Sequence, residues 1–212
     1  MFRETVYAQN TDLAEVMRLY AVAKQDTERK CTGDFLSLTL SRCEYLMGLS
    51  YWVRGEKDEA AVFYERGIVR AKESLAQRPS SEGYRILGMN ISLLCGVRRA
   101  YGLSNSGLID ENAKKALELD PHNLAARYLV ALKQVTAPWP FGNVRRGLST
   151  LEEIAGQNIE SMEKEDRFYL FMMTELACLK LNKNREARLW HEKAASLYPV
   201  DAIINILLKR KR

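Results

Sequence analysis

Apolar residues recur along most of the chain at three- and four-residue spacing, with charged residues filling the positions between. In Ala60, Phe63, Tyr64, Gly67, Ile68, Ala71 and Leu75 the offsets from the first are 3, 4, 7, 8, 11 and 15, which places all seven on one face of an α-helix. No comparable strand alternation appears. The pattern predicts ten helices, near residues 10–31, 34–54, 57–77, 82–102, 107–119, 123–136, 144–157, 163–181, 184–198 and 200–210. The interruptions carry turn chemistry: Gly33-Asp34, Gly55-Glu56, Pro79-Ser80-Ser81, Ser104 to Gly107, Asp120-Pro121, Pro138 to Gly142 and Tyr198-Pro199. Short connections predict that consecutive helices pair as antiparallel hairpins in an all-α fold. On the outer faces, Asp110 with Lys114 and Glu111 with Lys115 have the acid-first, four-residue spacing of supporting ion pairs.

The periodic pattern also repeats over longer distances. Residues 113–121, AKKALELDP, superimpose on residues 191–199, HEKAASLYP, at an offset of 78, and Ala155 closes a looser copy. A small Ala at a helix crossing lets the two helices of a hairpin approach, and Pro ends the second because it cannot continue it. Upstream, Gly48 follows Leu46-Met47 and Gly88 follows Ile86-Leu87, 40 residues apart, each in the first helix of a hairpin. A small residue after Leu or Met, then Tyr51, Gly55, Ala60 and Tyr64, resembles the tetratricopeptide repeat signature in its proper order. Ala113, Ala116 and Pro121 fit the second half of another copy, Ala187, Ala194 and Pro199 fit a third, and residues 124–155 fit a degenerate fourth with Ala131 and Leu151 in the small and aromatic slots.

The resemblance covers residues 41–199, with a period nearer 40–44 than the family's 34. It implies a right-handed superhelix of antiparallel hairpins, an α-solenoid in one domain spanning residues 1–212. In that arrangement residues 1–40 form an N-terminal capping helix and linker, residues 41–199 form four degenerate repeats, and residues 200–212 form a C-terminal capping helix with a basic tail. The run Leu119-Asp120-Pro121-His122-Asn123, with the later loop Ala137-Pro138-Trp139-Pro140-Phe141-Gly142-Asn143, also resembles a bacterial subgroup that includes periplasmic proteins associated with TRAP-type transporters.

Charge changes the picture less than its total suggests. The net formal charge is +5, and four of the positive charges are Lys209, Arg210, Lys211 and Arg212, which leaves +1 for the rest of the chain. A nucleic-acid-binding face is therefore disfavoured. The tail itself follows an apolar turn, Ile203 to Leu208, and its cations suit a helix C-terminus. No apolar stretch is long enough to span a bilayer. The first residues lack the apolar run of a secretory signal, which points to the cytoplasm for the chain as written, and to the periplasm if a leader has been removed. Cys31, Cys43, Cys95 and Cys178 match neither zinc-ligand nor dithiol spacing and are expected to be buried, reduced thiols.

Candidate chemistry is sparse. Only two histidines are present, His122 beside a helix-ending proline and His191 in the aromatic slot of a packing helix. No Gly-rich phosphate loop, nucleophile elbow or metal-ligand pair is visible, so no catalytic residue, cofactor or metal is expected. The expectation is a noncatalytic scaffold or adaptor that binds another protein or peptide. The family resemblance places the partner groove on the first helix of each hairpin, which selects Arg42, Tyr45, Leu49 and Trp52, then Arg85, Met89 and Ser92, then Tyr128, Leu132 and Val135, then Tyr169, Met172 and Leu176. Only Arg42 and Arg85 approach the cationic pattern of a carboxylate clamp, and the rest is mostly apolar and must be covered. Three covers stand open: the protein's own flanking helices, a partner or second copy of the chain, or a small hydrophobic ligand. The last belongs to the alternative reading, a hydrophobic-ligand carrier or transporter accessory. Trp139 and Phe141, among prolines and a glycine, either serve as binding anchors or tuck back over the preceding helices.

Overall fold

The computed structural model describes residues 2–8 and 12–199, and among them every regular element is a helix. The chain divides into two compact units, residues 1–121 and 122–212. The helix expected over residues 200–210, with the tail at 209–212, lies outside the described residues.

The first unit holds α1 (Phe2–Ala8), α2 (Leu13–Lys30), α3 (Gly33–Val53), α4 (Lys57–Gln77), α5 (Ser81–Val97), α6 (Arg99–Asn105) and α7 (Gly107–Leu119). α3 and α4 form the tightest hairpin, and its turn follows from one glycine. Gly55 has φ 87°, and with it the Gly55 N–H reaches the Trp52 carbonyl at 3.0 Å and the Glu56 N–H reaches the Tyr51 carbonyl at 3.1 Å. These two bonds satisfy the last carbonyls of α3 in a Schellman turn. Along the hairpin, a Cβ on Gly48 would lie 2.4 Å from the Tyr64 ring, so the phenol of α4 fills the space that the glycine of α3 leaves. Ala60, Ala61, Tyr64 and Ala71 are completely buried along the same helix.

A polar knot joins three helices of this unit. Ser41 of α3 donates through Oγ to the Gly67 carbonyl of α4 at 2.7 Å. Asn90 of α5 donates through Nδ2 to Ser41 Oγ at 3.2 Å and to the Ile86 carbonyl at 3.0 Å. A Cβ on Gly67 would sit 2.0 Å from Asn90 Oδ1, so a Cα hydrogen stands there instead and points at that oxygen.

The predicted helix over 82–102 is two helices. Arg98, at φ −111° and ψ 97°, ends α5 and starts α6. The break is tertiary: α6 folds back so that Gly102 approaches the Cys95 backbone, with a Cβ there falling 3.1 Å from the Cys95 carbonyl oxygen. The Arg98 guanidinium meanwhile reaches Glu65 of α4 at 2.5 Å. α5 then packs against α7 across this inserted helix. Lys115 of α7 lies over the Tyr84 ring at 5.6 Å rather than on Glu111, and Lys114 lies 3.7 Å from Glu118.

The second unit holds α8 (Leu124–Thr136), α9 (Val144–Ala155), a 3-10 turn (Ile159–Ser161), α10 (Lys164–Lys180) and α11 (Asn184–Ala195). Asn123 and Asn143 cap α8 and α9, accepting from the Ala126 and Arg146 N–H groups at 2.9 and 3.1 Å. In the α8/α9 hairpin, Gly147 makes the close crossing: a Cβ would fall 2.7 Å from Val135 Cγ2. The α10/α11 turn copies the α3/α4 turn, with Asn182 at φ 60° in place of Gly55. Here too the next two N–H groups, of Asn182 and Lys183, bond back to the Leu179 and Cys178 carbonyls at 3.2 and 2.9 Å. Ala187 and Ala194, two of the repeat's small positions, are buried on α11.

Candidate functional site

The groove residues expected from the family resemblance fall on α3, α5, α8 and α10. Leu49, Trp52, Arg85, Met89, Tyr128, Leu132, Val135, Tyr169, Met172 and Leu176 are all buried, and Arg42, Tyr45 and Ser92 are half-buried. The apolar positions therefore do not line an open channel. In the first unit the N-terminal helices supply cover: α1 and α2 both pack on α3. Tyr20 of α2 donates to Glu44 Oε1 at 2.8 Å, and its ring meets Phe63 edge-on at 5.8 Å, while Phe63 stacks on Tyr51 at 5.4 Å. In the second unit the Val135 carbonyl accepts from Lys180 Nζ of α10 at 2.5 Å.

The two groove arginines converge on one carboxylate. Glu82 sits in the first turn of α5 and Arg85 one turn later, and Arg85 donates through Nε and Nη2 to the two Glu82 oxygens at 2.7 and 2.6 Å. Arg42, from α3, donates to Glu82 Oε1 as well. Burial pushes the Glu82 carboxyl up, but the Arg85 hydrogen bonds and the charges of Arg85 and Arg42 outweigh it and hold the group below the ordinary carboxylate value. This shared pairing fixes α5 against α3 and leaves both guanidiniums already engaged with a carboxylate. The Glu82-to-Arg85 half was readable as an acid three residues before a base. Arg42 is 40 residues away, and nothing local announces its part.

The α10/α11 hairpin contains a pair that the periodic reading overlooked. His191, on α11, has its Nδ1 3.1 Å from Oε1 of buried Glu175 on α10. Glu175 and His191 stand 16 residues apart, the same separation as Gly48 and Tyr64, on matching sides of matching turns. A glycine under an aromatic ring in one hairpin is thus replaced by a carboxylate under an imidazole in the other. Superimposing the Gly55 and Asn182 turns would have revealed the pair.

The loop between α8 and α9 is the most prominent aromatic feature. Trp139 is 88% exposed and does not tuck back over the helices, whereas Phe141, 43% exposed, is more than half covered. The backbone beneath them is nonetheless ordered by short-range bonds. The Phe141 and Gly142 N–H groups both donate to the Pro138 carbonyl, at 2.9 and 3.1 Å. A Cβ on Gly142 would come within 2.2 Å of the Ala137 carbonyl oxygen, so this position requires glycine. The Trp139–Pro140 peptide is cis.

None of the four cysteines is bridged. Cys43 and Cys178 are buried as expected, and burial pushes each thiol up to about 11, with Glu44 adding to the effect at Cys43 and Glu152 at Cys178. Cys31 and Cys95 are half-exposed instead. His122 is exposed in the turn before α8. Among the described residues, no group of three or more His, Cys, Asp or Glu side chains is arranged to hold a metal, and no helix is long and apolar enough to cross a membrane. No protein-family model matches the chain, and no curated protein matches it either.

Proposed function

We propose that this protein is a noncatalytic interaction scaffold of the tetratricopeptide type whose partner is another protein. The observation that carries the reading is a packing pattern present in both units. The first helix of one hairpin touches the first helix of the next, as well as the helix between them: α3 packs on α5 across α4, and α8 packs on α10 across α9. Stacking of this kind gathers the first helices along one side of each unit, where a partner segment could lie against several of them at once.

Among the groove positions of the first unit, Tyr45 and Ser92 are half-buried, and half-buried Arg42 is held by Glu82. Tyr45 and Ser92 supply polar groups of the kind that hydrogen-bond a peptide backbone or side chain, and the buried aliphatic positions of the same helices hold them in place. A carrier of hydrophobic ligands would instead need an enclosed apolar chamber. Among the described residues, two concavities are open surface clefts with charged edges, one at Glu186, Leu189, Trp190, Glu192, Lys193 and Ser196, the other at Arg145, Leu148, Ser149, Glu152, Leu181 and Lys183.

Site-specific photocrosslinking tests the reading. A photoreactive residue at Tyr45 or Ser92 is expected to capture one recurrent protein partner in cells. The same group at Val69, 55% exposed on α4, is expected to capture none. Equal capture from all three positions would remove the groove assignment. Capture of the chain by itself would make the partner a second copy. A lipid-sized adduct retained in native mass spectrometry, with no protein captured, would favour the carrier.

A further inference from the structure

The second unit carries a feature that the scaffold reading does not use. Trp139 projects from the α8–α9 loop between two exposed prolines, Pro138 and Pro140, with Phe141 half out of the protein behind it. The loop is held by its own backbone bonds and by the Asn143 cap, so the rings are presented without further ordering. Large exposed aromatics on a pre-ordered loop are normally a site of contact.

The charge around the tip says what kind. From Pro121 to Leu151 the chain contains no Asp or Glu; of its four cations, Lys133 is buried and Arg127 is paired with Glu153 at 2.6 Å, which leaves Arg145 and Arg146 as the exposed charges beside the tip. Arg145 and Arg146 follow the loop directly, in the first turn of α9, and both are exposed. Cations at a helix N-terminus oppose the helix dipole, where Asp or Glu would be favoured, so these two arginines do not serve the stability of α9. Neither guanidinium is paired with a carboxylate among the described residues. Lys183 lines the same cleft as Arg145, and the acid of that cleft, Glu152, lies two turns further along α9, away from the tip.

We propose that the loop at residues 138–142, together with Arg145 and Arg146, docks the protein on an anionic lipid surface. Trp139 enters the headgroup region with Phe141 beside it, and the two guanidiniums meet lipid phosphates just outside. An indole at that depth keeps its apolar body in the interface and its N–H in reach of water or headgroup oxygens. An exposed aromatic tip followed by two exposed arginines matches a broad anionic surface. A protein pocket for Trp139 would more readily be matched by hydrogen-bonding groups around the ring, and prolines occupy both sides of it. Binding of this kind is peripheral and reversible, because it combines a small apolar insertion with a few surface charges.

The test uses the full chain and phosphatidylcholine vesicles with and without about one third phosphatidylglycerol, at moderate salt. Wild-type protein is expected to cosediment with the anionic vesicles and not with the neutral ones. Trp139→Ala is expected to weaken binding about tenfold, and Arg145→Gln with Arg146→Gln roughly fivefold for each charge removed. All three side chains are exposed, so circular dichroism should show unchanged folding. Quenching of tryptophan emission by bromine-labelled lipid tails should occur in wild type and disappear in Trp139→Ala. Deleting residues 209–212 controls for the basic tail. Binding that survives Trp139→Ala and is lost with the tail, or binding indifferent to lipid charge, would overturn the proposal. So would an absence of vesicle binding, including the case in which residue 139 crosslinks to an acidic protein.

Discussion

Gly67→Ala is expected to destabilise the first unit by about 3 kcal/mol, although alanine in place of glycine inside an unobstructed helix is favourable by about 1 kcal/mol. The sign is set by Asn90. The added methyl would sit 2.0 Å from its Oδ1 and 2.7 Å from its Cγ. A side chain at the end of a flexible stem could turn away, but Asn90 is completely buried and its amide is tied to Ser41 Oγ and to the Ile86 carbonyl. Relief therefore requires either breaking those bonds inside the protein or separating α4 from α5. Urea unfolding followed through Trp52, the tryptophan of the first unit, measures the loss. The double variant with Asn90→Ala distinguishes the mechanism: it should be less destabilised than the sum of the two single changes by about 2 kcal/mol, because removing the amide vacates the space the methyl needs. Additive effects would mean that Asn90 is not the obstacle.

The second large effect concerns charge. Glu82→Gln retains the shape of the side chain but removes the carboxylate shared by Arg42 and Arg85. Arg85 is only 5% exposed, so its guanidinium loses its main counter-charge while remaining inside the protein. Breaking a buried pair from one side commonly costs 3–5 kcal/mol, and because Glu82 is itself 34% exposed, water offsets part of that here, leaving about 2 kcal/mol. The pH dependence identifies the cause. Glu82 is held below its ordinary value, so its contribution is fully present above the unfolded carboxylate range and disappears as pH falls through the lowered folded value. Wild type and Glu82→Gln should therefore differ by a constant amount at neutral pH and converge in acid. A difference that persists under strong acid would assign the effect to packing instead.

These two sites also mark what the chain's pattern could and could not reveal. Most helix ends were legible because their signals are local: Gly55 closes α3, Pro79 follows α4, and Asp120-Pro121 follows α7. The break at Arg98 was hidden, since it depends on Gly102 meeting the Cys95 backbone and on Arg98 reaching α4. For the candidate groove, the repeat register taken from the family resemblance selected positions on α3, α5, α8 and α10 that mostly turn inward. It could not separate a face lining an open groove from one packed against neighbouring helices, because both require the same apolar residues. Exposure of Trp139 and Phe141 was equally undetermined, as Pro and Gly mark a turn without stating which way its side chains point. The short α1 carries too few residues to display a period at all.

The burial of two thiols has a practical corollary. A thiol with its pKa raised from 9 to about 11 has roughly one hundredth of the ordinary thiolate population at neutral pH, and Cys43 and Cys178 are sterically enclosed as well. Electrophilic reagents should therefore partition toward half-exposed Cys31 and Cys95, which stand at the C-terminal end of α2 and near the end of α5. Brief alkylation followed by peptide mapping should find adducts at residues 31 and 95 well before 43 and 178. The native chain thereby offers two reporter positions in the first unit for following partner binding spectroscopically, without introducing any new cysteine.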